Sequence, residues 1–382
     1  MKKKIMFVFG TRPEAIKMAP LINEMKEYAD KFVLSVVVTG QHRHMLDQVL
    51  RVFKIKPDHD LEIMAKDQTL VDIITKAMRG LEKVLLKEKP DMLLVQGDTS
   101  TAFASALLAF YYRIPVAHIE AGLRTFDKWS PFPEEINRKL ISPIADLHFA
   151  PTATSMRNLL EEKVARKDIY LTGNTVIDAL LTVSKRKFDL KKAGIKLDPK
   201  KKLILVTVHR RETLGDMQRE MCLALLEIAK TFNNEVEIIL PMHKNPKVRD
   251  LVIDILSCQS NIKLIEPMDY EPFVHLMKQA YIIITDSGGV QEEAPSLGKP
   301  VLVMREKTER PEAIKAGTVK LVGASRQVIV KETIKLLKNK KAYLKMSRAV
   351  NPYGDGLASK RMVDIILYYF NLKKSKPVEF KL

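Results

Sequence analysis

MLLVQGDTSTAFASALLAFYYRIPVAHI, residues 92–119, carries two periodicities in one short stretch. Met92–Gln96 is apolar without alternation, as a strand covered on both faces must be. Thr101–Tyr112 spaces its apolar residues as a helix does, and Val116–Ile119 is a second apolar run. Strand, helix and strand in that order read as a parallel βαβ unit, since parallel neighbours need a long crossover.

The alternation extends outward from this unit. Lys4–Phe9, Lys31–Val38 and Leu147–Ala150 read as strands, and Glu14–Tyr28, His44–Val52, Leu70–Lys87 and Thr154–Glu162 as helices. It restarts in the second half with strands at Leu203–Val208, Val236–Leu240, Ile262–Ile265, Tyr281–Thr285 and Val301–Met304, again separated by helical patterns. The charged, Lys-rich stretch Gly173–Lys202 separates the two series. A chain of 382 residues suits two domains. The expectation is an α/β protein with two Rossmann-like, doubly wound domains facing a central cleft. Residues 1–172 form the first, residues 173–357 the second, and a C-terminal helical stretch, 358–382, packs back on the first.

Composition excludes several classes. Two cysteines, Cys222 and Cys258, and no CxxC argue against a disulfide framework or a structural zinc site. No apolar run approaches the ~20 residues of a membrane span, and the short run Ile5–Phe9 has no cleavage site after it, so a soluble cytoplasmic protein is expected. The net charge of +18 is spread over scattered lysine runs without aromatic interleaving, which argues for a solvated surface and against nucleic acid as a partner.

Chemistry gathers where strands end. The first strand runs into Thr11-Arg12-Pro13-Glu14, a capping box, with Arg12 and Lys17 at the positive end of the helix. Cations there suit a bound phosphate, or are simply solvated. MLLVQ leads to Asp98, PVAHI to Glu120, and PFPEEINR brings Glu134 and Glu135, the last two also suited to a helix's first turn. Crowded carboxylates can move protons. LILVTV ends at His209, and a later strand at His243. No HExxH, Walker loop or early GxGxxG is present, so neither a metal nor a nicotinamide is indicated. In TDSGGVQEEAPSLGKP, residues 285–300, Ser287, Gly288 and Gly289 offer amides to a diphosphate, while Glu293 suits a ribose diol; no sequence neighbour satisfies these glutamates. A nucleotide-sugar wants both.

GTRPEAIKMAP, TGQH, QGDTSTAFASAL, HIEAGLRTFDKWSPFPEEINR, GNTVIDAL, HRRET and TDSGGVQEEAPSLGKP occur in that order, and the chain resembles the non-hydrolysing UDP-N-acetylglucosamine 2-epimerases from residue 5 to about residue 360. The resemblance implies the GT-B type of fold, no cofactor, a homodimer, and interconversion of UDP-GlcNAc and UDP-ManNAc for polysaccharide biosynthesis. It implies that Arg12 and Lys17 meet the diphosphate, that Asp98, Glu120 and Glu134 are the acid–base groups, and that His209 contacts the phosphate or the leaving UDP. It also implies Phe273 and Met268 by the uracil, Ser287, Gly288 and Gly289 on phosphate, Glu293 on ribose, and Arg310 closing the site. Gln41, Arg210 and His243 match an activator site of bacterial relatives, whereas His44 and Asp67 depart from its usual Gln and Arg. The expected reaction is loss of UDP from C1 with removal of the C2 proton, giving 2-acetamidoglucal, then re-addition on the other face. A GT-B glycosyltransferase, a nucleotide-sugar sensor and an epimerase for a diacetamido uronic acid sugar stand as alternatives.

Overall fold

The computed structural model describes residues 1–40, 43–65, 68–208, 215–242, 245–306, 308 and 310–381. The chain divides into two compact units, Met1–Ala179 with Tyr353–Leu382, and Leu180–Pro352.

The first unit carries a seven-stranded sheet built from β1 (Lys3–Phe9), β2 (Phe32–Val38), β3 (His59–Asp60), β4 (Met92–Gln96), β5 (Val116–Ile119), β6 (Leu147–Ala150) and β7 (Ile169–Leu171), in the order β3-β2-β1-β4-β5-β6-β7. All its described pairings are parallel. The continuous apolar strands are buried on both faces, from Ile5 to Phe9 and from Met92 to Val95, as a helix-covered parallel sheet requires. The second unit repeats the plan with β8 (Lys202–Thr207), β9 (Val236–Pro241), β10 (Ile262–Ile265), β11 (Ile282–Thr285), β12 (Val301–Val303) and β13 (Val319–Leu321), in the order β10-β9-β8-β11-β12-β13. Each sheet reverses its strand order once, between β1 and β4 and between β8 and β11. Open α/β sheets bind ligands beyond the carboxyl ends of the strands at such a switch. Among the described residues no helix is long and apolar enough to cross a membrane.

The Lys-rich stretch read as a separator opens with an ordered helix, Thr175–Ser184, whose Val176, Ile177, Ala179, Leu180 and Val183 are buried. Within the first unit, helix Ala358–Tyr369 packs on helix Arg12–Lys26. The buried Asp178 carboxylate accepts the N–H groups of Ala358 and Ser359 at 3.3 and 2.8 Å, capping that last helix.

Burial pushes the Asp178 carboxyl up to about 6 from an ordinary 3.8, against the opposing pull of its Ser359 and Ala358 bonds. The folded unit thus holds this proton more tightly than the unfolded chain does. The contribution is fully present below about pH 4 and is lost as pH rises through about 6. Asp178→Asn should therefore gain on the wild type by on the order of 2 kcal/mol in urea unfolding between about pH 4 and about pH 7. A constant difference across that range would remove Asp178 as the titrating group.

Candidate active site

In the first unit, the acids and cations singled out from the sequence follow β1, β4 and β5, three adjacent strands that span the switch point. Arg12 is the half-buried first residue of helix Arg12–Lys26. Glu14, one turn in, is buried and accepts the N–H groups of Gly10 and Thr11 at 3.0 and 2.7 Å, and the Thr99 hydroxyl at 2.7 Å. Burial raises its carboxyl above the usual carboxylate range, while the bonds from Thr99, Gly10 and Thr11 oppose that rise. The capping box thus also ties the helix after β1 to the turn after β4.

Glu120 lies just past β5 with φ of 65° and is 7% exposed. A non-glycine residue in the left-handed region costs about 1–2 kcal/mol. Such strain persists only where the surroundings over-determine it. Its Oε2 receives the Lys17 ammonium, the Gln96 amide at 3.2 Å and the Asn174 amide at 3.1 Å. Lys17, expected on a diphosphate, is therefore placed on the acid.

Asp98, after β4, accepts Arg138 Nε at 2.7 Å, and its carbonyl accepts the Asn137 side-chain amide at 2.8 Å. Arg138 also reaches Glu135 at 3.1 Å. The neighbouring glutamates in PFPEEINR differ. Glu135 is fully buried and accepts the N–H groups of Thr125 and Phe126 at 3.0 and 3.1 Å, a loop-holding arrangement. Glu134, the first residue of helix Glu134–Ile141, is half-buried. So Asp98 and Glu120 stand beyond adjacent strands, each on a cation. Among the described residues, Gln96, Asn174 and Arg138 are the supporting groups that the sequence reading left out. A polar residue closing the apolar run MLLVQ was a visible signal for Gln96.

In the second unit, β11 runs into Ser287 and the short helix Gly288–Glu293 at the switch point. Ser287 turns its own N–H inward to Thr285 Oγ1 at 2.9 Å, which leaves the Gly288 and Gly289 amides as the ones suited to an anion. A side chain at Gly289 would meet open space. The glutamates that follow, which have no partner close in sequence, are met by residues distant in sequence. Glu293 accepts the buried Tyr270 hydroxyl at 2.9 Å, and Glu292 pairs with Arg310, the residue expected to close the site. Burial, with the Glu293 charge behind it, holds the Tyr270 phenol well above its ordinary range. Phe273, in helix Tyr270–Gln279, and Met268, just before that helix, are both half-buried. His209, Arg210, Gln41, His243 and Asp67 lie outside the described residues, as does the side chain of His44.

Two doubly wound parallel sheets in one chain, each with polar groups gathered past the carboxyl ends at its switch point, define a two-domain α/β protein of the GT-B class. A family model described as UDP-N-acetylglucosamine 2-epimerase matches residues 24–367. The chain belongs to that family and is an isomerase. It is 54% identical over 370 residues to the UDP-N-acetylglucosamine 2-epimerase of Escherichia coli (strain K12), covering 95% of this chain and 98% of the relative. The crystal structure of the UDP-GlcNAc 2-epimerase from Neisseria meningitidis bound to UDP-GlcNAc is similar with a TM-score of 0.86 at 48% identity, over 96% of this chain and 100% of that one. The Methanocaldococcus jannaschii UDP-GlcNAc 2-epimerase in complex with UDP-GlcNAc and UDP is similar with a TM-score of 0.80 at 34% identity, over 96% and 99%.

Proposed function

We propose that this protein inverts C2 of UDP-GlcNAc to give UDP-ManNAc, by elimination and re-addition of UDP through 2-acetamidoglucal. The observation that carries the reading is the buried Glu120 carboxylate, strained in backbone and set on Lys17 one strand away from Asp98. The relatives crystallised with UDP-GlcNAc, and with UDP, support the choice of ligand.

The C2 proton becomes removable only as the C1–O bond to UDP breaks and positive charge grows on the ring. The bonding pair leaves with the UDP oxygen, a carboxylate takes the C2 proton, and the C2–H electrons form the C1=C2 double bond. Arg12 supplies positive charge for the departing diphosphate, Lys17 stays on Glu120, and in the second unit Gly288 and Gly289 donate amides to phosphate oxygens. Glu293 serves the ribose, with Phe273 and Met268 near the uracil. In the return step a proton is delivered to the opposite face of C2 while a UDP oxygen attacks C1. Two faces need two groups, drawn from Asp98, Glu120 and Glu134.

Incubation with UDP-GlcNAc in D₂O, followed by NMR, tests the reading. Deuterium should enter C2 and UDP-ManNAc signals should grow without an added acceptor. Bound but unexchanged UDP-GlcNAc would leave a sensor, and exchange without a second epimer would overturn the inversion step.

A further inference from the structure

We propose that Asn174, together with Gln96, is a positioning residue that holds the Glu120 carboxylate ionised and aimed for proton abstraction. This rests on the epimerase reading above and assigns within it a part to residues that act through Glu120. Asn174 is 3% exposed and is held by hydrogen bonds from both its backbone and its side chain. Its backbone N–H donates to the Tyr353 carbonyl at 2.7 Å, and its side-chain Oδ1 accepts the Val176 N–H at 3.1 Å. The second bond settles which end of the amide faces which way. With Oδ1 spent on capping helix Thr175–Ser184, Nδ2 is directed at Glu120 Oε2, 3.1 Å away. An N–H donor on a carboxylate favours the charged form over the neutral acid. Gln96, at the end of β4 and 3% exposed, places a second amide on the same oxygen at 3.2 Å.

The segment that anchors Asn174 is built for close approach. Gly173 has φ of 83° and a side chain on it would sit 3.3 Å from Gly354 Cα. Gly354 has φ of 149°, with Asn174 N 3.4 Å from where its own Cβ would lie. Two glycines thus let the returning chain lie flat against Asn174, so that the Tyr353 carbonyl fixes its backbone while the Val176 N–H fixes its side chain. A surface residue meeting Glu120 by chance would need none of this.

The charged and titratable neighbours of Glu120 include Lys17 from helix Arg12–Lys26 and His118 from β5. Burial drives His118 down to about 3, despite its bond to the Gly97 carbonyl, so it stays neutral at working pH. The acidic limb of the rate profile is assigned to Glu120, the carboxylate that both amides address.

The test is the pH dependence of kcat/KM for C2 deuterium exchange in wild type, Asn174→Ala and Gln96→Leu, with UDP affinity and far-UV circular dichroism measured on each. Removing one amide donor should move the ascending limb upward by about one unit, with roughly tenfold loss below the limb and rates within a few-fold of wild type above it. UDP affinity should stay the same. A purely structural role would lower the rate by one factor at every pH with the limb unmoved, and that result, or unaltered kinetics, would overturn the assignment. If Asn174→Ala does not fold, Gln96→Leu decides alone, because it leaves the Tyr353 and Val176 bonds intact. Absence of exchange in the wild type would instead remove the epimerase reading, a distinct outcome.

Discussion

Glu120→Gln should still bind UDP and yet exchange the C2 proton at least ~10²-fold more slowly than the wild type. Glutamine keeps the size and planarity of the side chain, so the amides of Gln96 and Asn174 retain an oxygen to donate to. What it lacks is the basic lone pair on an anionic carboxylate. In the proposed mechanism UDP is held by other groups, chiefly a cation and amides on phosphate, so affinity and turnover should separate. Lys17 loses the Glu120 charge in the variant, and weakening a partly buried ion pair is costly. Thermal unfolding therefore has to be followed beside the kinetics, at a temperature where the variant is fully folded. Turnover near the wild-type rate would dismiss Glu120 as the base and leave Asp98 and Glu134 to account for both faces of C2.

Gly122→Ala should destabilise the first unit by about 3 kcal/mol, judged from the left-handed backbone cost and the overpacking cost together. Gly122 has φ of 87°, and a methyl group there would lie 2.2 Å from the Ser155 carbonyl oxygen and 2.9 Å from Leu159 Cγ. The first obstacle is backbone of helix Ala153–Glu161, which cannot swing aside as a side-chain tip can. The Gly122 carbonyl meanwhile accepts the Asn158 side-chain amide at 2.9 Å, pinning the loop to the same helix. Any retreat of the loop would pull on Glu120, two residues back, so activity should fall along with stability. Urea unfolding would measure the effect, and an alanine variant within about 1 kcal/mol of the wild type would mean that the helix yields after all.

Among the strands legible in the sequence are several whose side chains are buried on both faces. Met92–Gln96, Val116–Ile119 and Leu147–Ala150 are apolar runs bounded by polar residues, and each is a strand of the sheet. His59–Asp60 and Val319–Leu321 went unread because backbone pairing to one neighbour defines them, and two or three residues hold no periodicity. Helix Thr175–Ser184 was masked by the lysines that follow it, since a window dominated by charge hides a short buried helix. The acids Asp98 and Glu120 were visible because a strand end is a position one can count to. Their supports were not. Gln96 and Asn174 meet Glu120 from 24 and 54 residues away, and Glu292 and Glu293 find Arg310 and Tyr270 at separations of 18 and 23. Only the folded chain brings such pairs together.

The second unit, Leu180–Pro352, is an insertion in the first, whose closing segment begins only at Tyr353. On the ribosome, every residue of the inserted unit is therefore made before the earlier one receives its last helix. Until Ala358–Tyr369 emerges, the face of helix Arg12–Lys26 that it covers stays bare and Asp178 has no amides to cap. The half of the molecule that starts first is the half that finishes last.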